Sequence, residues 1–397
     1  MDVTPGLRRA PHPDVDAIGE DTALVARIHA EIERDGPMTF ARFMELALYD
    51  PDGGYYRSVD APPGREGDFM TAPEIHPIFG ATLSRAVADT WDRTGRPDPF
   101  VLREIGAGTG ALAVAVLEGL ALERPELAAV IRYDPIEVDE RRLAGIENRL
   151  RAAGHVGALL DPAASGQPID GVIVANEVLD ALPTHRVIAA DGELLERFVG
   201  SRDGAFIEID GAPSTPWLAA RLTADGVALA DGQEGEICLA LDPWIADVAG
   251  GLRRGLVLLI DYGYPAVELY DPLRRHEGTL RAYLRHRVHD DPFVHVGRQD
   301  LTAHVDVTAV ERAATAAGLT HLGTTTQSAY LVGLGMEERL RAVQADPATT
   351  MAAYLALRSS IVRLLDPRAM GRFRVMAFGR GWPDGPPPAG LTPQQER

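Results

Sequence analysis

Apolar positions follow two rhythms along the chain. Leu24, Ile28 and Ile32 fall four apart and predict a helix over residues 21–34. A second short helix is predicted over 39–48, closed by the turn residues Asp50-Pro51-Asp52-Gly53-Gly54. After a loop rich in proline and glycine, a longer helix is predicted over 75–94. From residue 100 onward, short and wholly apolar runs alternate with helical patterns. Strands are predicted over 100–105, 130–138, 171–175 and 256–260, and helices over 111–122 and 140–153. The rhythm fails over 184–240, which reads as short strands (186–190, 196–199 and 205–209) and one helix near Trp217. It fails again over 264–304, an irregular stretch rich in Arg and His. Helices over 305–317 and 351–365 and a strand over 373–378 complete the pattern.

Continuous apolar strands separated by helices mean a mostly parallel sheet covered on both faces. The fold class expected is therefore α/β, with a Rossmann-like sheet, an N-terminal helical lobe and an α+β insertion. A chain of 397 residues is too long for one hydrophobic core, which stops growing near ~250–300 residues. The expected division is a helical and lid segment over 1–96 and a core domain over 97–183 and 241–383. An inserted substrate or partner subdomain occupies 184–240, and a disordered tail 384–397.

Composition narrows the chemistry. All 39 basic residues are arginine, which removes Schiff-base enzymes, P-loop NTPases and protein kinases, all of which need a lysine. A net charge of −19 leaves no surplus of cations for a nucleic-acid duplex. The one cysteine, Cys238, excludes an internal disulfide and a cysteine-based zinc site. No run reaches the ~18–20 apolar residues of a membrane span. No signal peptide is visible, and eight acids in the first 36 residues argue against a transit peptide. The expected compartment is the cytoplasm.

Between the first predicted strand and its helix lies Glu104-Ile105-Gly106-Ala107-Gly108-Thr109-Gly110. Glycines at such a turn let a ligand approach the backbone at the positive end of a helix. Gly106, Gly108 and Ala111 satisfy the dinucleotide fingerprint. Gly106, Gly108 and Gly110, with Glu104 before them, satisfy the E/D-x-G-x-G-x-G pattern of class I S-adenosyl-L-methionine (SAM) methyltransferases. The acid favours the second reading, because it can pair with the methionine ammonium and would repel a diphosphate. Glu104, Gly106, Gly108, Thr109 and Gly110 are thus cofactor-binding candidates. Glu137, at the end of the second strand, is the candidate for the ribose hydroxyls, and Asp139 is expected to cap the next helix. Asn176-Glu177-Val178-Leu179-Asp180 follows the third strand, at the carboxyl edge where ligands sit in open α/β sheets. Asn176 is a further cofactor candidate. The plainer alternative is that these residues close a turn and cap a short helix.

The strings LALYDPDGGYY, GDFMTAPEI, EIGAGTGALA, NEVLDALPTHRV, LLIDYG, HEGTLRAYLRHRVHDDP and DLTAHVDVTAV carry a resemblance over residues 38–327. Together they resemble the MidA-like family of SAM-dependent methyltransferases. The sequence departs from that family's pattern at Ala107 and Thr109, where Pro and Arg are commoner, and at His304. The resemblance implies a class I methyltransferase fold, SAM as cofactor and a protein substrate. Mitochondrial members methylate an arginine on a respiratory complex I subunit during assembly.

An arginine acceptor needs carboxylates to hold its charge and accept its proton. Glu177 and Asp180 are the first candidates. Asp68 and Glu74, in a loop able to fold over the cofactor, are the second, although Pro73-Glu74 also reads as a helix start. Asp261 and Asp306 are weaker candidates. His276, His286, His289 and His295 match no zinc spacing, so no metal is expected. A homodimer is admitted as an assembly, and no nucleic acid or membrane span is expected. Two other classes compete: an assembly chaperone that holds SAM without turnover, and a nicotinamide-dependent oxidoreductase.

Overall fold

The computed structural model describes residues 18–57, 71–285 and 287–391. Its centre is a six-stranded sheet in the order Thr320–Thr326, Arg374–Arg380, Leu252–Asp261, Ile169–Asn176, Phe100–Ile105 and Ile131–Ile136. The last four strands run parallel, as their unbroken apolar runs require, and Arg374–Arg380 is antiparallel to both neighbours. Thr320–Thr326 had no counterpart in the sequence pattern. It is an edge strand of exposed and half-buried residues, so it lacks the apolar signature of a central one.

Helices cover both faces. Ile78–Arg93, Ala111–Glu123 and the C-terminal helices bury one side, with Phe79, Leu83, Leu112 and Val116 in the core. Leu241–Gly250 and Val307–Ala316 bury the other, through Ile245, Val248 and Val310. The helix expected over 75–94 is broken at His76-Pro77 into Ala72–Ile75 and Ile78–Arg93. Proline lacks the N–H that a continuous helix would use. Although it falls within residues 1–96, Ile78–Arg93 packs into the core of the main sheet.

The insertion folds into an antiparallel sheet of His185–Ala190, Glu193–Arg202, Ala205–Gly211 and Glu234–Ile237. Met38–Thr39, from the N-terminal segment, adds a short strand to it. Helices Thr22–Asp35 and Phe40–Tyr49 share one apolar cluster with Val199, Leu280, Val296 and Leu301. The N-terminal lobe and the insertion are therefore joined through a common core. Residues 264–304 are more regular than their composition predicts. Arg281–Leu284, Arg287–His289 and Asp300–Thr302 form a small antiparallel sheet. Only Ala282, Leu284 and Leu301 of it are buried apolar residues, and the Arg and His between them hide the alternation.

The C-terminal tail also differs from expectation as far as it is described. Residues 384–391 lie against Ile78–Arg93, where the Ala389 N–H donates to Asp89 at 2.9 Å. Arg93 donates to the carbonyls of Pro386 and Pro387, and Leu391 packs on the core. A proline-rich segment with little apolar surface is held here by hydrogen bonds to its carbonyls. Among the described residues no helix is long and apolar enough to cross a membrane.

Candidate cofactor and acceptor site

The carboxyl ends of the parallel strands open into a cavity of about 330 Å³. Its shape is set by the turn after Phe100–Ile105. Gly106, Gly108 and Gly110 all have positive φ, at 71°, 55° and 75°, a region costly for residues with a Cβ. A Cβ on Gly106 would lie 2.7 Å from Val178 Cγ2, so this glycine lets the two ligand-side loops approach. Gly106, Gly108 and Thr109 line the cavity, whereas Gly110 caps helix Ala111–Glu123.

Two carboxylates flank the turn. Glu104, 5% exposed, reaches the cavity from within its strand and accepts the Tyr133 hydroxyl at 2.7 Å. Burial pushes its carboxyl up to about 8, the Tyr133 hydrogen bond pulls it back, and the nearby Glu137 raises it further. Glu137 spans the turn: its Oε2 accepts the Gly108 N–H at 2.8 Å and its Oε1 accepts the Val138 N–H at 2.9 Å. Two residues on, Asp139 accepts the Arg141 N–H at 3.0 Å and caps helix Glu140–Ala152.

Asn176 and Glu177 form the opposite wall. Glu177 adopts φ 56°, an uncommon conformation for a residue with a side chain, and one associated with functional sites. Its Oε1 accepts the Ala72 N–H at 3.1 Å and the Asn176 amide at 2.9 Å. Burial raises its carboxyl to about 8 against the Ala72 hydrogen bond, with Asp261 adding to the rise. Asn176 Oδ1 is buried without a hydrogen-bond partner, a costly state for a polar atom in a ligand cavity.

Asp180 lies behind this wall. It lines a smaller chamber of about 60 Å³ with Glu177, Asp300, Tyr56, Tyr262, Tyr283 and Thr302. Glu177 and Tyr56 line both spaces, so the two cavities adjoin through them. Burial and the charges of Asp261, Asp300 and Glu177 raise the Asp180 carboxyl well above its usual range.

Asp261, at the end of Leu252–Asp261, anchors the intervening loop. Its Oδ2 accepts the N–H groups of Val178, Leu179 and Asp180 at 3.0, 2.7 and 3.4 Å, and its Oδ1 accepts that of Tyr262 at 2.7 Å. Asp306 accepts the Ala309 N–H at 3.0 Å and caps helix Val307–Ala316. Glu74 sits over the glycine turn, accepts the Thr109 hydroxyl and lies 3.7 Å from Arg149. It lines the larger cavity and not the chamber of Asp180. Asp68 and His286 lie outside the described residues. Among the described residues, no three His, Cys, Asp or Glu side chains gather as a metal would require.

Several lining residues escaped the reading of the sequence. Tyr49, Tyr56, Arg142 and Trp244 face the larger cavity, and Asp300, Tyr262 and Tyr283 the smaller. The strings LALYDPDGGYY and DLTAHVD contained three of them, but periodicity gives such residues no role. Tyr49 stacks on Tyr56 at 5.4 Å and donates to the Ala181 carbonyl at 2.9 Å, which ties the N-terminal lobe to the sheet edge.

The cavity suits SAM on its own chemistry. A buried carboxylate can meet an ammonium, a second at the next strand end can meet vicinal hydroxyls, and an unpartnered amide oxygen can accept from the ligand. Comparison with known proteins gives the same answer. Residues 82–325 match a family described as "Putative S-adenosyl-L-methionine-dependent methyltransferase". A Burkholderia thailandensis protein crystallised with S-adenosyl-homocysteine (SAH) superposes with a TM-score of 0.85 at 35% identity, covering 96% of this chain and 97% of that one. The Drosophila melanogaster protein named Protein arginine methyltransferase NDUFAF7 homolog, mitochondrial, is 28% identical, covering 90% of this chain and 85% of its own length. Its Homo sapiens counterpart is also 28% identical, covering 90% and 83%. An α/β sheet with a glycine cradle and matched carboxylates, and a family match over most of the chain, lead to one conclusion: the chain belongs to this family of SAM-dependent methyltransferases.

Proposed function

We propose that this methyltransferase modifies an arginine side chain of a protein partner, and that a respiratory complex I subunit is the first partner to test. The observation that carries the reading is the chamber behind Glu177, lined by three carboxylates and three tyrosines and adjoining the cofactor cavity. A guanidinium is planar, cationic and rich in donors, which such a lining complements. The names of the fly and human relatives support the same acceptor.

Glu104 receives the methionine ammonium and Glu137 the ribose hydroxyls, with Gly106, Gly108 and Thr109 giving close approach and Asn176 accepting from the ligand. Bound SAM supplies a methyl group on a sulfonium. Glu177 turns one guanidinium nitrogen toward the cofactor cavity, and alignment with exclusion of water supplies much of the rate. Asp180 accepts the proton that the methylated nitrogen releases, a task suited to a carboxyl raised by burial. Asp261 holds both acids in place through the loop N–H groups. The inserted sheet, joined to the N-terminal helices, presents the partner.

The test is single-turnover methylation beside SAH calorimetry. Glu177→Gln and Asp180→Asn should lower the rate by roughly 10²–10⁴ and leave the SAH dissociation constant within about threefold. Labelling a deletion-strain lysate with tritiated SAM, followed by mass spectrometry, should find methylarginine. Methyl-lysine as the product, or full activity in both variants, would overturn the reading.

A further inference from the structure

We propose that Asp225 and Asp306 share a single proton, that this proton fastens the insertion to the methyltransferase core, and that losing it as pH rises loosens the seat of the insertion. Its consequence for presenting a partner rests on the reading above, whereas the shared proton does not.

Asp225 closes the helix Trp217–Ala224 of the insertion, and Asp306 opens the helix Val307–Ala316 of the core. Each carboxyl has one oxygen in use. Asp225 Oδ1 accepts from Arg312, and Asp306 Oδ1 accepts the Ala309 N–H at 3.0 Å. The other two oxygens, Asp225 Oδ2 and Asp306 Oδ2, are both buried and meet no donor among the described residues. The two side chains nevertheless lie within hydrogen-bonding reach of each other. Two ionised carboxylates so placed would each leave an oxygen unsatisfied and would repel. One proton held between them satisfies both oxygens and removes one charge.

The neighbouring groups are otherwise engaged. Arg221, on the helix that Asp225 closes, donates to Asp242 and to the Cys238 carbonyl. Asp180, Arg221, Glu236, Cys238, Tyr270 and His304 line an interior cavity of about 30 Å³ together with Asp306. Glu236 accepts the N–H and hydroxyl of Thr279 at 2.7 and 2.9 Å, and Tyr270 donates to the Glu236 carbonyl at 2.8 Å. His304 accepts from Arg275 at 2.9 Å. Burial and Arg275 push the imidazole down to about 3, and burial pushes the Cys238 thiol up to about 12, so both are neutral around pH 7. Burial, and then the charge of Asp225, raise the Asp306 carboxyl to about 7, against the pull of the Ala309 hydrogen bond and of Arg221. A carboxyl raised in the folded state adds stability that is complete below about 3.8 and fades as pH climbs through about 7. Leu218 and Leu222 of the same helix share an apolar cluster with Ala266 and Leu269, a contact that does not titrate. Loss of the proton therefore loosens the end of Trp217–Ala224 that meets Val307–Ala316 and leaves the rest of the insertion packed.

The experiment is hydrogen–deuterium exchange on the full protein without a partner, from pH 5.5 to 7.5, corrected for the intrinsic pH dependence of exchange. In the wild type the opening constant of amides in 217–226 and 307–312 should rise roughly tenfold to thirtyfold across that window. Asp306→Asn keeps an oxygen for the Ala309 N–H and offers an amide N–H to Asp225 Oδ2. Asp225→Asn keeps an oxygen for Arg312 and offers an amide N–H to Asp306 Oδ2. Either amide replaces the shared proton permanently, so each variant should hold the opening constant within about threefold. Infrared difference spectra at pH 5.5, wild type minus variant, should show the loss of one protonated carboxyl band. A flat opening constant in the wild type, the full rise in the variants, or no lost band would overturn the assignment. Should one variant not fold, the other decides. Failure here leaves the arginine reading standing, and failure of that reading leaves the shared proton standing, because no acceptor or partner enters the measurement.

Discussion

Glu104 gives a quantitative test of where the cofactor's ammonium lies. In the free protein its carboxyl sits at about 8, because burial outweighs the Tyr133 hydrogen bond. A ligand ammonium stabilises the ionised form, so binding at lower pH must expel a proton. Ionising Glu104 costs about 3 kcal/mol at pH 6.0 and about 1 kcal/mol at pH 7.5, from about 1.4 kcal/mol per pH unit below the raised carboxyl. The difference, about 2 kcal/mol, predicts a roughly twentyfold to thirtyfold rise in SAH affinity across that window. Calorimetry in two buffers of different ionisation enthalpy should show release approaching one proton per SAH near pH 6.5. Glu104→Gln keeps an acceptor for Tyr133 but cannot ionise. It should bind about tenfold or more weakly at pH 7.5, with the gap closing toward pH 6.0 and no proton released. Glu177 also sits at about 8, so Glu177→Gln is the control and should retain the rise. The linkage to folding has a definite sign. A carboxyl raised in the folded state adds stability that is complete below about 4.5 and fades as pH climbs through about 8. The ligand-free protein should therefore melt at lower temperature at pH 8.5 than at pH 6, and SAH should reduce that loss. An affinity that stays flat for the wild type, or a full rise in Glu104→Gln, would refute the placement.

The remaining expectations concern the turn and its anchors. Glu137→Ala should weaken SAH binding by about 1.5–3 kcal/mol by calorimetry, whereas Asp139→Ala should lower stability by ~1 kcal/mol and leave binding alone, because it caps a helix. The opposite order would place the ribose acid two residues later. Asp261→Ala strands the loop N–H groups of Val178, Leu179 and Asp180 and should cost on the order of 3 kcal/mol in urea denaturation, while also weakening SAH binding. A midpoint equal to the wild type would show that the loop holds its shape without this anchor.

The four parallel strands of the central sheet and the cofactor edge were legible in the pattern of residues alone, whereas the edge strand Thr320–Thr326 was not. Unbroken apolar runs such as Val172-Ile173-Val174-Ala175 can be stable only between two covered faces, so they announce a parallel sheet before any contact is known. Glycines between a strand and a helix, with an acid before them, are a local signal, since the turn and the ligand contact involve the same few residues. Glu104, Gly106, Gly108, Thr109, Glu137, Asn176 and Glu177 accordingly meet in one cavity. Tertiary structure alone decided the chamber behind them. Tyr56 meets Tyr283 and Asp300 across more than 200 residues of chain, and the small sheet that carries the latter two has few buried apolar positions, set among Arg and His. It also decided that Glu74 belongs to the glycine turn, that Asp261 serves as an anchor, and that the N-terminal helices share a core with the insertion. Periodicity reports which face of an element is buried. It is silent about which distant element buries it, because that choice depends on packing and hydrogen bonds formed only once the chain has folded.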